Sequence, residues 1–298
     1  MTYLFHLIVL FALYAVLSIS LNMLFGYAGY LSLAHAGFFA IGAYAYAVGR
    51  VVYELGTVAS AAMGVGIAAV LSLGLSLPSW RFRGDFFVLI SMAVQSLLFS
   101  LFSNLYEPAT PLGSGGNLTN GPFGIANIPR PVSYLHVSPT TLLLVIAGGT
   151  AVVCFAVAWR LLSSPWGQVL RAIREDEVVA RSLGKRVRLA KVQVFAISCS
   201  MAALVGAWYA AYVTYIDPSS ASLDQGILIL AMLLIGGAGN LRGPLVGTLV
   251  LLLLPEALRL VHVPDVHAGN LRLLAYGALL VVLMHMRPQG LAGEYRLE

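Results

Sequence analysis

The densest run of charge in this 298-residue chain is Glu175-Asp176-Glu177, set among Arg171, Arg174 and Arg181. On a helix, opposite charges four residues apart meet on one face, so Arg171–Glu175 and Glu177–Arg181 are predicted ion pairs. The chemistry such a segment offers is recognition: an acidic centre followed by small residues through Ala180, Leu183 and Gly184 suits a groove on a soluble partner. The plainer alternative is an amphipathic linker on the anionic inner leaflet, and three consecutive acids are unhelpful there. A second pattern is the spacing G-x-A-G-x-L, which occurs at Gly26-Tyr-Ala-Gly29-Tyr-Leu31 and again at Gly236-Gly-Ala-Gly239-Asn-Leu241. Small residues there let helices approach closely or let the backbone break, and breaks in corresponding places of two halves mark a substrate path. Asn22, Gly26, Gly29, Ser32, His35, Gly236, Gly239 and Asn240 are therefore the pathway candidates. Asn22, His35, Gln95 and Asn240 also suit ordinary interhelical hydrogen bonds.

Catalytic patterns are missing. Leu112-Gly-Ser-Gly-Gly116 lacks the G-x-S-x-G spacing of a nucleophile elbow, and no G-x-x-x-x-G-K-[ST] loop is present to hold a nucleotide. Cys154 and Cys199 sit in apolar runs, as packing residues do. The chain is expected to be no enzyme, to hold no metal or cofactor, and to draw any pumping energy from another polypeptide.

The elements that must position these residues follow from composition. Hydrophobic residues make up 59% of the chain and charged residues 10%, against about 25% charged in an average soluble domain. So little charge cannot cover a water-exposed surface, and the chain reads as an all-α polytopic integral membrane protein. Its net charge of +5 reflects orientation in a membrane and not nucleic-acid binding.

A hydrocarbon core about 30 Å thick needs about 20 apolar residues per crossing. Nine segments fit, near 3–24, 33–50, 57–78, 86–103, 139–161, 190–214, 225–239, 243–259 and 271–286. Met1 to Ser20 has no basic leader or cleavage pattern and is expected to be a retained helix. The connection 163–191 carries seven basic residues, while 104–138 carries only Arg130, so the first is predicted cytoplasmic and the second external. Propagated through nine spans, this puts the N-terminus outside and the C-terminus in the cytoplasm. All twelve acids fall in connections or at span ends, which leaves a proton- or sodium-coupled transporter poorly supplied. Residues 1–298 form one transmembrane domain with external loop 104–138 and cytoplasmic segment 163–191. Ser164 as N-cap, Pro165 at the first helical position and Gly184 past the end predict one helix of about nineteen residues within that segment. Ile173, Val179, Ala180 and Leu183 would lie on or near one stripe of it.

The stretch from Leu170 through Arg-Ala-Ile-Arg-Glu-Asp-Glu-Val-Val-Ala-Arg-Ser-Leu to Gly184 resembles the cytoplasmic coupling segment of branched-chain amino acid ABC transporter permeases of the LivM-like kind. The stretch Gly26 to Tyr44 and the run Thr119-Asn-Gly-Pro-Phe-Gly-Ile125 resemble two further motifs of that family, in the expected order. Ala34 departs from it, standing where a Gly is common. The resemblance implies a permease that works with a second related permease, ABC ATPase subunits and an extracytoplasmic substrate-binding protein, in a bacterial or archaeal cytoplasmic (inner) membrane. It further implies that 164–184 docks on the ATPase, with Arg171, Arg174, Glu175, Asp176, Glu177, Ala180, Leu183 and Gly184 as coupling residues. Permeases for urea and short amides share much of the pattern, and an ATP-independent channel or facilitator is the rival from another class.

Overall fold

A computed structural model describes residues 2–108, 110–114, 116–131, 139–260, 274, 276–282, 285–287 and 289–293. Ten helices follow in chain order: α1 (Thr2–Asn22), α2 (His35–Val51), α3 (Thr57–Ser76), α4 (Asp85–Asn104), α5 (Pro139–Leu162), α6 (Pro165–Glu175), α7 (Glu177–Ser182), α8 (Val187–Val213), α9 (Leu223–Gly236) and α10 (Arg242–Leu260). Among the described residues the expectation of an all-helical chain has one small exception: β1 (Ile125–Ala126) pairs antiparallel with β2 (Tyr215–Ile216).

Among the described residues, five helical stretches are long and apolar enough to cross a membrane: Tyr3–Tyr27, Thr57–Trp80, Asp85–Asn104, Thr141–Leu162 and Val187–Val213. Two of the nine expected spans form shorter helices, α2 with 17 residues and α9 with 14. The expected span 271–286 lies partly outside the described residues and is helical at 274, 276–282 and 285–286.

The two short helices have a common cause. The backbone before each leaves the α-helical path, as an irregular stretch before α2 and as a 3-10 turn at Pro218–Ala221 before α9, and meets α4 at mid-length. Ser91 Oγ accepts from Leu33 N–H at 3.0 Å, and Gln95 Oε1 accepts from Gly37 N–H at 2.8 Å, at the start of α2. On its other side, Gln95 Nε2 donates to the carbonyls of Ala221 and Ser222, just before α9. Gln95 stands ten residues into α4, about 15 Å along it at 1.5 Å per residue. Irregular backbone at that depth has no water to turn to, so a side chain that both donates and accepts is what makes the breaks affordable.

The long helix α8 forms the spine, packed along α1, α2 and α3. Its contact with α2 is backbone on backbone: a Cβ on Gly42 would overlap the carbonyl of Ala203, and one on Gly206 would overlap that of Phe39. Small residues replace the hydrophobic driving force that lipid does not supply between helices.

The connections collect at two ends. Residues 23–34, 78–84, 163–191 and 237–241 lie at one, the charged end, where Arg174 reaches the Gly26 carbonyl, Arg83 reaches Glu177, and Asn22 reaches Gly239. At the far end Arg50 donates to the Leu55 carbonyl at 2.7 Å, Ile125 pairs with Ile216, and His6 bonds the Tyr212 hydroxyl at 2.7 Å.

Candidate functional site

The charged end is built around α6 and α7. Ser164 has the extended backbone of an N-cap (φ −80°, ψ 169°), with Pro165 at the first helical position, where its missing N–H costs nothing. Leu170 and Ile173 are fully buried and seat α6 on the body. The single nineteen-residue helix expected from the sequence is then interrupted: Asp176 is extended (φ −153°, ψ 109°), closing α6 and opening α7. Its Oδ1 accepts from Val178 N–H at 2.7 Å and Val179 N–H at 3.1 Å, an N-cap in mid-segment. The segment ends as the sequence predicts, with Gly184 at φ +74°. Gly184 N–H bonds Arg181 O at 3.0 Å and Lys185 N–H bonds Ala180 O at 3.2 Å, the pair of bonds that closes a helix through a left-handed glycine.

The break re-aims the acids. Glu177 turns inward and is 6% exposed, while Glu175 and Asp176 stay outside. Three cations converge on the Glu177 carboxylate: Arg83 at 2.6 Å, Arg181 at 2.7 Å and Lys191 at 2.8 Å. Lys191 is fully buried at the base of α8, bonds both carboxylate oxygens, and donates to the Ser79 carbonyl at 2.7 Å. Arg83 also donates to the Ile173 carbonyl at 2.9 Å. Burial alone would raise the Glu177 carboxyl, but the Lys191 hydrogen bonds and the charges of Lys191, Arg83 and Arg181 outweigh it and hold it below the usual range.

Of the two predicted (i, i+4) pairs, Glu177–Arg181 forms; Arg171 instead lies over the Tyr27 ring at 5.1 Å. The predicted apolar stripe also divides. Ile173 and Ala180 are buried, whereas Val179 (51% exposed) and Leu183 (71%) join Val178 (75%) on the outer surface of α7.

The two glycine turns lie against each other. Asn22 Oδ1 accepts from Gly239 N–H at 3.1 Å, and its Nδ2 donates to Asn240 O at 2.7 Å. A Cβ on Gly26 would overlap Asn22 Oδ1 and stand 2.7 Å from Gly239 N. A five-residue π-helix, Met23–Tyr27, underwinds the end of α1 and runs into the first turn. Gly29, at φ +76°, then reverses the chain where a Cβ would lie 3.0 Å from Arg174 Cγ. In the second turn Asn240 Oδ1 caps α10 by accepting from Arg242 N–H at 2.9 Å and Gly243 N–H at 2.7 Å, while a Cβ on Gly236 would overlap the Gly243 carbonyl.

Asn22, Gly26, Gly29, Gly239 and Asn240 thus come together, with Arg174 bonding the Gly26 carbonyl from α6. Ser32 and His35 are buried deeper. His35 Nε2 lies 2.8 Å from Ser20 Oγ and 3.4 Å from Ser198 Oγ, so it joins α2 to α1 and α8. Sequence reasoning missed Arg83, Ser79 and Ser91 as parts of this end and of the breaks behind it. Arg83 had a signal: with Arg81 it puts basic charge in a short turn on the same predicted side as the acidic run. From the far end a cleft of about 610 Å³ opens between α1, α9 and α10, with His6, Tyr14, Met232 and Glu256 among its lining.

Broken helices at mid-depth, small-residue contacts and a charged segment clamped to one end define a polytopic helical membrane protein of the permease class. The family of branched-chain amino acid transport system permease components matches residues 3–284, and this chain belongs to it. It is similar to the high-affinity branched-chain amino acid transport system permease protein LivM of Escherichia coli K12, with 29% identity over 94% of this chain and 67% of that protein. The LivM of Salmonella typhimurium is 28% identical over the same shares. The autoinducer 2 import system permease protein LsrC of Salmonella paratyphi B is 26% identical over 70% of this chain and 60% of that one. No solved structure matches.

Proposed function

We propose that this chain is the membrane-spanning subunit of an ATP-driven ABC importer for branched-chain or related small amino acids. Family membership over residues 3–284 carries the reading. The outer surface of α7 meets paired ATPase subunits, a second permease completes the transmembrane unit, and a binding protein delivers substrate at the far end. The basic contrast between 163–191 and 104–138 supports a cytoplasmic charged end, with nine spans, an external N-terminus and a cytoplasmic C-terminus in a bacterial or archaeal inner membrane. Transport is a population shift between inward- and outward-facing packings, biased by ATP in the motor. The twin glycine turns and the breaks on α4 are where those packings differ.

The complex isolated through a tag on this chain and reconstituted in vesicles tests the reading with radiolabelled leucine. Uptake is expected only with ATP on the cytoplasmic face and binding protein on the other. Uptake without ATP would make the chain a facilitator; ATP-driven uptake of urea or a short amide in place of leucine would move the cargo. Because the LsrC similarity widens the range of cargo among relatives, the panel includes autoinducer 2. For topology, a Cys placed at Phe123 (65% exposed) should label from outside, and one at Lys185 only after permeabilisation. Buried Cys154 and Cys199 leave little background.

A further inference from the structure

Glu177 is the one acid of the segment that the fold takes inside, and what it touches gives it a role other than docking. Its two oxygens receive Lys191 from the base of α8, Arg83 from the turn between α3 and α4, and Arg181 from its own helix. Two of these cations are fastened again: Lys191 to the Ser79 carbonyl, and Arg83 to the Ile173 carbonyl of α6. A single carboxylate therefore joins α6, α7, α8 and the α3–α4 turn. Lys191 also faces the Tyr30 ring at 5.2 Å, beside the first glycine turn.

Resting on the importer reading, we infer that Glu177 is the positioning residue that makes α7 and α8 move as one body. A partner pressing on Val178, Val179 and Leu183 would thereby shift the cytoplasmic base of α8, the spine of the transmembrane core, and not merely tilt a surface helix. The geometry separates two tasks within the seven residues 177–183: the outer side of α7 and its C-cap Leu183 hold the partner, and Glu177 on the inner side passes the displacement on. Asp176 makes this division possible, because its cap opens a new helix whose first residue faces the body.

Two variants test the inference in the reconstituted complex, with ATP hydrolysis, co-purified ATPase subunits and leucine uptake measured on the same preparation. Glu177→Gln should keep its ATPase subunits while leucine moved per ATP falls about tenfold, within the usual range of coupling between sites. That variant leaves Lys191 buried without its acid, so lowered yield alone would be a folding effect. The second variant, Glu177→Gln with Lys191→Met, removes both charges, and replacing a buried pair by neutral groups of similar size is commonly tolerated. It should restore yield and hydrolysis but not leucine moved per ATP. Wild-type transport per ATP in the double variant would reduce the cluster to charge compensation and overturn the proposal. Loss of the ATPase subunits from the double variant would make Glu177 a docking contact and overturn it equally. A wild-type complex that contains no ATPase would instead end the importer reading itself, which keeps the two failures apart.

Discussion

At the charged end two neighbouring regions, linked by Arg174, are joined in opposite ways. Around Glu177 one carboxylate draws in three cations, whereas Gly26 and Gly239 meet through backbone and the Asn22 amide, with Arg174 reaching only the Gly26 carbonyl from outside the contact. An ion cluster acts at distance and tolerates small shifts, so it suits a joint that must hold while moving. A glycine contact is set by overlap and tolerates almost nothing, so it suits a place with two discrete packings. The contrast means that charge removal should uncouple the first region and added bulk should jam the second.

Bulk should have the larger effect. Gly26→Leu would drive a side chain through Asn22 Oδ1 into the backbone of the second turn, and Gly239→Leu adds a branched residue at φ +96°. Overpacking costs about 1–3 kcal/mol, and here it falls unequally on two packings. Both variants should insert, keep the ATPase and lose leucine uptake; transport surviving in either would dissolve the link between the glycine turns and the pathway.

Next is the outer surface of α7. Leu183→Asp puts a charge on a residue that is 71% exposed and makes no internal contact of consequence, so the permease should fold normally. ATPase association should weaken by about tenfold or more, as when an interface anchor is lost. Undiminished association measured by titrating detergent-solubilised complex would move the docking surface elsewhere.

Asp176 stands between the two tasks, and its loss should be milder. Asp176→Ala removes an N-cap worth about 1 kcal/mol, loosening the start of α7 and lowering uptake a few-fold. Asn caps as well as Asp, so Asp176→Asn should transport normally; equal damage from both would show that its charge and not its cap is at work.

The smallest effect is on acid stability. Because the folded Glu177 carboxyl is held low, its contribution is fully present above the ordinary Glu value of about 4.3 and is lost only as pH falls through the lower folded value. The gap in thermal stability between wild type and Glu177→Gln should thus stay level from about pH 8 to pH 5 and close only in stronger acid. A gap already narrowing near pH 6 would mean that the three cations do not hold the carboxylate.

The boundaries that depend on neighbouring residues alone were legible in the sequence: Ser164 with Pro165 at one end of the segment and Gly184 at the other. The long apolar stretches of α1, α3, α4, α5 and α8 were equally plain, because length and hydropathy suffice. What escaped was tertiary. Nothing local distinguishes Asp176 from its acidic neighbours except a preference for N-caps, and the cap forms where Glu177 finds cations from α8 and the α3–α4 turn. The lengths of α2 and α9 depend on Ser91 and Gln95, many residues away in each case. The repeated glycine spacing identified two turns, but their meeting required Asn22 to lie between them.

The double role of Gln95 also imposes an order on biosynthesis. Gly37 is made 58 residues before the amide that receives its N–H, and Ser222 is made 127 residues after the amide that serves its carbonyl. While the chain emerges, the amino end of α2 waits for α4, and α4 in turn presents half of its amide until the backbone before α9 arrives. The fourth helix therefore serves turns made before and after it: a nascent chain halted before it leaves one open turn in lipid, and a chain with Gln95→Leu leaves two.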